Sequence, residues 1–198
     1  RWAPRREWQI GWPRAGRMGG ALDAGGWGLK SRTRPAAAGV AHSLAALAWG
    51  RTAGARKIYF KYGSRFDSTD AGNIGPVADA LMDALGTRFT IACPAFPVNK
   101  RTIYLGHLYG GDVLLSESPM RDPRLTPMRA ANPVRVLGRQ TQRRVGLGPW
   151  PLVHSVASAV RDTLVRLAAA DFAHALVDPH ASPALSALCA ARAAQQRV

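Results

Sequence analysis

KYGSRFDSTDAGN, residues 61–73, decides how this chain is read. It places Lys61, Arg65, Asp67, Ser68, Thr69 and Asn73 around Gly63 and Gly72, directly after the apolar run Ile58-Tyr59-Phe60. A polar, glycine-punctuated loop after a strand is where α/β proteins seat ligands, because a rigid sheet lets several loop side chains point at one place. A solvated loop held by an Asx or Ser/Thr turn at Asp67-Ser68-Thr69 is the plainer alternative. Next, Gly75-Pro76 opens an apolar series, Val77, Leu81 and Leu85, that stops at Gly86. Proline near the start and glycine just past the end predict a helix over 76–85. The loop therefore runs into a helix N-terminus, whose free backbone N–H groups are a natural seat for an anionic ligand.

Upstream, Pro35 begins a helical pattern with Val40, Leu44 and Leu47 on one face, closed by Gly50, and 57–61 reads as a strand. Downstream, residues 89–93 form a short apolar run between Gly86 and Pro94, as in a buried strand. Alternation of helix and strand at this spacing predicts an α/β fold, a three-layer, mostly parallel sheet flanked by helices. The strand-like runs 101–105 and 112–116, separated by GHLYGG (106–111), predict an added β-hairpin beside the main sheet. Val153, Val156, Val160, Leu164 and Leu167 mark a helix, 173–177 a strand and 183–194 an Ala-rich final helix. Residues 1–28 carry no helical or alternating period and read as an irregular basic arm. Their Arg, Gly, Ala, Trp and Pro content fits GC-rich codons read out of frame; a genuine basic arm is the alternative.

The 198 residues suffice for a real core, and 27 Lys and Arg against 12 Asp and Glu give a formal charge of +15. Such a balance raises nucleic acid or an acidic membrane surface as partners. The charge sits in the first 34 residues and again over 121–144, where Arg135, Arg139 and Arg143 would form one stripe on a helix. A solvated helix face is the first reading of that stripe and a phosphate-tracking surface the second. Cys93 and Cys189, far apart and in no metal-ligand spacing, suggest a reducing compartment, and the five histidines show no ligand pairing, so no metal site is expected. No apolar run is long enough to span a bilayer, and no signal-peptide core is present, so a cytoplasmic protein without membrane partners is expected.

The run KIYFKYGSRFDSTDAGNIGPVADALMDALGTRFTIACPAFPVNKRTIYLGHLYGGDVLLSES resembles the N-terminal domain of the four-carbon acid sugar kinase family, most of all its 3-oxo-tetronate kinases. The resemblance extends from LKSRT (29–33) through RDPRLTPM (121–128) to VRVLGRQTQRRVGL (134–147), taken as a helix, and FDST, GNIGP and ACPAFP are its most specific strings. It implies transfer of the γ-phosphate of ATP, with Mg2+, to the 4-hydroxyl of a four-carbon sugar acid. The Asp-Asp-Phe-Thr-Gly-type opening strand of the family has no match in 1–28, and Gly63 and Arg65 stand where 3-oxo-tetronate kinases usually show Cys and Thr. Residues 29–198 are thus expected to be a truncated sugar-acid-binding domain. A separate nucleotide-binding domain is the implied partner, and none of this chain's own residues is expected to bind the nucleotide.

Phosphoryl transfer needs a clamp on the acceptor and an aligned hydroxyl, and an acid sugar adds a carboxylate that Arg binds bidentately. Arg32 and Arg101 are the carboxylate candidates. Lys61, Asp67, Ser68 and Asn73 are substrate-binding candidates in the glycine-punctuated loop, with Asp67 equally able to cap the following helix or hold the turn. His107, between glycines in the expected hairpin turn, is a ligand contact or a solvent-exposed turn histidine. Asp178 follows a strand at its ligand-facing end, or else caps the next helix. No catalytic base is identifiable. No P-loop, GxSxG or GxGxxG occurs, so the chain alone is expected to hold only the acceptor. Two other classes compete: a basic protein with non-specific nucleic-acid affinity through the arm and the arginine stripe, and a non-functional remnant with an unfilled sheet edge. No specific nucleic-acid partner is expected.

Overall fold

The computed structural model describes residues 6–11, 24–64, 66, 69–119, 121–122, 128–148 and 157–178. Its centre is a three-stranded parallel sheet made of β3 (Thr90–Ala92), β7 (Val145–Gly148) and β8 (His174–Val177), with β8 in the middle. Thr90 and Val145 flank His174, and Ala92 and Leu147 flank Leu176. A central strand covered on both faces is mostly apolar, and all four residues of β8 are buried, its one polar residue, His174, being hydrogen-bonded to Asp79. Alternation sorts its side chains. Ala175 and Val177 pack with Val160 and Leu164 of α4 (Ala157–Ala169), whereas Leu176 joins Phe66, Ile74, Ile103, Leu108 and Leu137 on the other face.

Two helices before the sheet pack on each other. In α1 (Ala36–Thr52) Leu47 is buried, and in α2 (Ile74–Leu85) Val77 and Leu81 fill the same small core, with Val40, Leu44 and Phe60 at its margin. The helix predicted at 76–85 therefore stands, extended by two residues at its start. Gly86 ends it in the left-handed conformation (φ 66°), and the Thr87 N–H returns to the Met82 carbonyl at 3.0 Å.

An antiparallel sheet of β4 (Arg101–Tyr104), β5 (His107–Gly110) and β6 (Val113–Leu114) lies beside the core and contributes Ile103 and Leu108 to it. The hairpin is present, but its register differs from the expectation. The turn is Leu105-Gly106, at φ 46° and 75°, and HLYG is a strand; GHLYGG does not form the connection. His107 accordingly lies on a strand facing Tyr104.

Three further expectations are corrected. Residues 57–61 form no strand among the described residues: Ile58 and Tyr59 are exposed, and the segment is extended so that Phe60 and Tyr62 point inward. The helix expected over 134–147 stops early. Its first turns are α3 (Pro133–Gly138), started by Asn132, whose side chain accepts the Arg135 N–H at 3.0 Å, and the remainder crosses to β7. Two short apolar clusters had merged into one apparent period. The basic arm is not wholly irregular either, since β1 (Arg6–Ile10) and β2 (Ala24–Gly28) pair in parallel and Trp27 meets Trp49 of α1 edge-to-face with centroids 4.5 Å apart. Backbone pairing through a glycine-rich strand leaves no side-chain period to read. Val153, Val156 and the helix expected at 183–194 lie outside the described residues.

Candidate acceptor-binding site

The sheet presents the ends of its strands to the loop at 61–73 through tyrosine. Tyr62 stacks edge-on with Phe60 and Phe66, and its hydroxyl accepts the Cys93 N–H at 2.7 Å, just past the end of β3. Burial, reinforced by the nearby Cys93 thiol, pushes the Tyr62 phenol well above its ordinary value and keeps it neutral. Phe66 is fully buried with φ 51°, a left-handed conformation that a bulky residue adopts only where the surroundings hold it. Asp67 and Ser68 follow immediately, and both lie outside the described residues, as does Arg65.

At its far end the loop is tied to residues 31–34. Asn73 is buried, and its Nδ2 donates to the carbonyls of Ser31 (2.8 Å), Arg34 (3.1 Å) and Arg32 (3.4 Å). Its side-chain amide thus holds the backbone that carries Arg32. Lys30, in the same loop, is a second non-glycine residue in the left-handed region, at φ 50°.

The helix ends beside this junction are not equivalent. The Gly75 N–H of α2 donates to Gln140 Oε1 at 3.0 Å, and Pro76 has no N–H to offer. The anion seat expected at this terminus is therefore largely filled by the protein itself. At α1 the N-cap Pro35 makes no side-chain hydrogen bond to the first turn, which begins four residues after Arg32. The start of α1 thus lacks the side-chain partner that Gln140 supplies to α2.

Arg101 and Ile103 share the inner face of the hairpin, and the Arg101 Nη1 lies 3.4 Å from the Asn99 carbonyl. His107 pairs with Tyr104 on the outer face, where its Nδ1 meets the Leu105 carbonyl at 3.1 Å. The two candidates thus point to opposite sides of the sheet. Lys61 is exposed, alternating with the inward Phe60 and Tyr62. Asp178 is fully buried at the carboxyl end of β8, the ligand-facing edge of an open parallel sheet. A depression of about 540 Å³ runs along Pro97, Lys100, Thr102, Gly111 and Asp112 at the base of the hairpin, away from residues 31–34.

The expected arginine stripe dissolves into ion pairs with α2 and its preceding loop. Arg139 meets Asp70 at 3.3 Å, and Arg143 reaches both Asp79 and Asp83. Asp79 also accepts from Thr141 and pairs with Nε2 of His174 at 2.7 Å, a ring only 1% exposed. Sequence reading singled out none of Tyr62, Asp79, Gln140, Thr141 or His174, whose partners are distant in sequence. Among the described residues no three His, Cys, Asp or Glu side chains converge as metal ligands, and no helix is long and apolar enough to cross a membrane.

A sugar-binding N-terminal domain model matches residues 13–198. The chain belongs to that family. A 3-oxo-tetronate kinase of Burkholderia multivorans is 59% identical over 150 residues, which make up 76% of this chain and 35% of that protein. One from Pseudomonas savastanoi pv. phaseolicola is 50% identical over 85% of this chain and 40% of its own length. The fold agrees with a crystal structure of a Haemophilus influenzae protein of the DUF1537 family, with a TM-score of 0.90 and 41% identity over 94% of this chain and 45% of that one. The chain thus spans well under half the length of these relatives.

Proposed function

We propose that this sugar-binding domain holds the acceptor of a four-carbon acid sugar kinase of the 3-oxo-tetronate type. In such an enzyme the 4-hydroxyl of the bound acid receives the γ-phosphate of ATP. The observation that carries the reading is the Asn73 amide, which binds the loop of Arg32 to the end of the 61–73 loop, so that two segments distant in sequence line one place. There the guanidinium of Arg32 and the open first turn of α1 offer a positive seat for the substrate carboxylate. Asp67 and Ser68 supply acceptors and a donor for the sugar hydroxyls, with Arg101 a second carboxylate candidate and Asp178 at the carboxyl end of β8. His107, on the outer face of the hairpin, drops out of this set, and Asn73 acts through Arg32. The kinase names of relatives 59% and 50% identical to this chain support the substrate class.

ATP with Mg2+ is the phosphate source of such kinases. We assign nucleotide binding to the part of these longer relatives that this chain does not span. What this chain contributes is orientation: fixing the carboxylate at one end leaves the terminal hydroxyl at a defined distance from it. Titration of the isotope-labelled protein with a four-carbon sugar acid tests this by NMR. Shifts should concentrate at residues 31–38 and 69–73; shifts confined to the 540 Å³ depression beside the hairpin would overturn the assignment.

A further inference from the structure

We propose that Gln140 is a positioning residue for acceptor binding, acting by fixing the 61–73 loop to the first turn of α2; the proposal rests on the acceptor-binding reading above. The two ends of one amide make different ties. Nε2 donates to the Thr69 carbonyl at 2.7 Å, and Oε1 accepts the Gly75 N–H at 3.0 Å. A carbonyl needs the NH2 end and an N–H needs the oxygen, so only one orientation of the side chain satisfies both. The backbone approaches as closely as the side chain. A Cβ added at Gly75 would lie 2.7 Å from Gln140 Cβ and 2.8 Å from its carbonyl oxygen, so residue 75 must be glycine for this contact to exist.

Gln140 also sits at the centre of a strap. Arg139 pairs with Asp70 on the loop side, while Thr141 and Arg143 pair with Asp79 on the helix side. The strap continues directly into β7, so the loop is referred to the central sheet through residues 139–144. Thr69 stands one residue after Ser68 and four before Asn73. Its carbonyl is thus the point at which the strap holds the loop. Pinning the loop at Thr69 and Asn73 lowers the entropy lost when ligand binds.

Gln140→Glu separates the two ties. The carboxylate still accepts the Gly75 N–H but cannot donate to Thr69 and repels its carbonyl. The experiment compares wild type, Gln140→Glu, Gln140→Met and, as a buried site on α4 away from the strap, Thr163→Val by calorimetric titration with a four-carbon sugar acid, by thermal melting and by amide exchange of 69–75. Gln140→Glu should melt close to wild type and keep the Gly75 amide protected. It should exchange 69–72 faster and bind about tenfold more weakly. Gln140→Met should lose affinity as well. Thr163→Val should melt lower and bind nearly as wild type. Unchanged affinity in both Gln140 variants, or losses that follow melting temperature across all three, would overturn the proposal. If wild type binds no four-carbon acid, the acceptor reading fails. The exchange of 69–72 then decides for Gln140 as the loop anchor if it quickens in Gln140→Glu, and against it if unchanged.

Discussion

The Nδ2 of Asn73 donates to the Ser31 carbonyl at 2.8 Å across 42 residues of chain, and it reaches the Arg32 and Arg34 carbonyls as well. One buried amide thereby sets the loop before α1 against the start of α2. Asn73→Ala removes three acceptors' partner and leaves a void at a buried site, which should lower stability by about 1–3 kcal/mol. Acceptor affinity should fall further than for an equally destabilising change elsewhere. Urea unfolding together with titration of the folded protein separates the two effects.

Asp79 and Asp70 both meet an arginine, but their worth should differ. Asp79 serves the buried His174 and Thr141 as well as Arg143, so Asp79→Ala leaves buried polar groups unpaired and should cost about 2–3 kcal/mol. Asp70 and Arg139 are 68% and 57% exposed, and Asp70→Ala should change stability by less than about 1 kcal/mol. Denaturation midpoints of the two variants test the contrast.

Gly75 and Gly86 are both at the ends of α2, for different reasons. Gly75→Ala drives a methyl into the Gln140 backbone and should cost about 1–3 kcal/mol or displace the strap. Gly86→Ala meets no neighbour and strains only a φ of 66°, at roughly 1 kcal/mol. Loss of acceptor affinity should accompany the first and not the second.

Tyr62 makes alkaline stability a readout of the loop anchor. Its folded phenol titrates above the ordinary 10.0, so the unfolded chain releases this proton first. The contribution is complete below about pH 10 and is lost as pH rises beyond it. Wild type should therefore lose stability above that pH more steeply than Tyr62→Phe, which in turn should be about 1 kcal/mol less stable near neutrality for want of the Cys93 hydrogen bond. Ultraviolet titration of the four tyrosines should show one phenol that ionises only on unfolding.

Those elements were legible in the sequence whose period is their own. Val77 and Leu81 between Pro76 and Gly86 mark α2, and the run at 89–93 marks β3, because each buries a single regular face. Where two elements abut, the pattern misleads: Val134, Val136 and Leu137 belong to α3, Val145 and Leu147 to β7, and between them Arg143 straps to α2 and Arg139 to the loop before it. Residues 57–61 carry the short apolar run of a strand, but among the described residues no neighbouring strand takes it up, and only Phe60 of the run packs inward. Within the site, Arg32 and the 61–73 loop stood out by their polar chemistry. Gln140, Asp79 and His174 did not, since their hydrogen bonds span 62 to 95 residues and no local pattern records such a pairing.

Calorimetric titration of wild type and Arg32→Ala with a four-carbon sugar acid tests the central claim most directly. Single-site binding by wild type, weakened about tenfold or more in Arg32→Ala for loss of the carboxylate partner and retained in Arg161→Ala on the exposed face of α4, is the predicted result. Absence of binding by wild type, or equal affinity in Arg32→Ala, would contradict it.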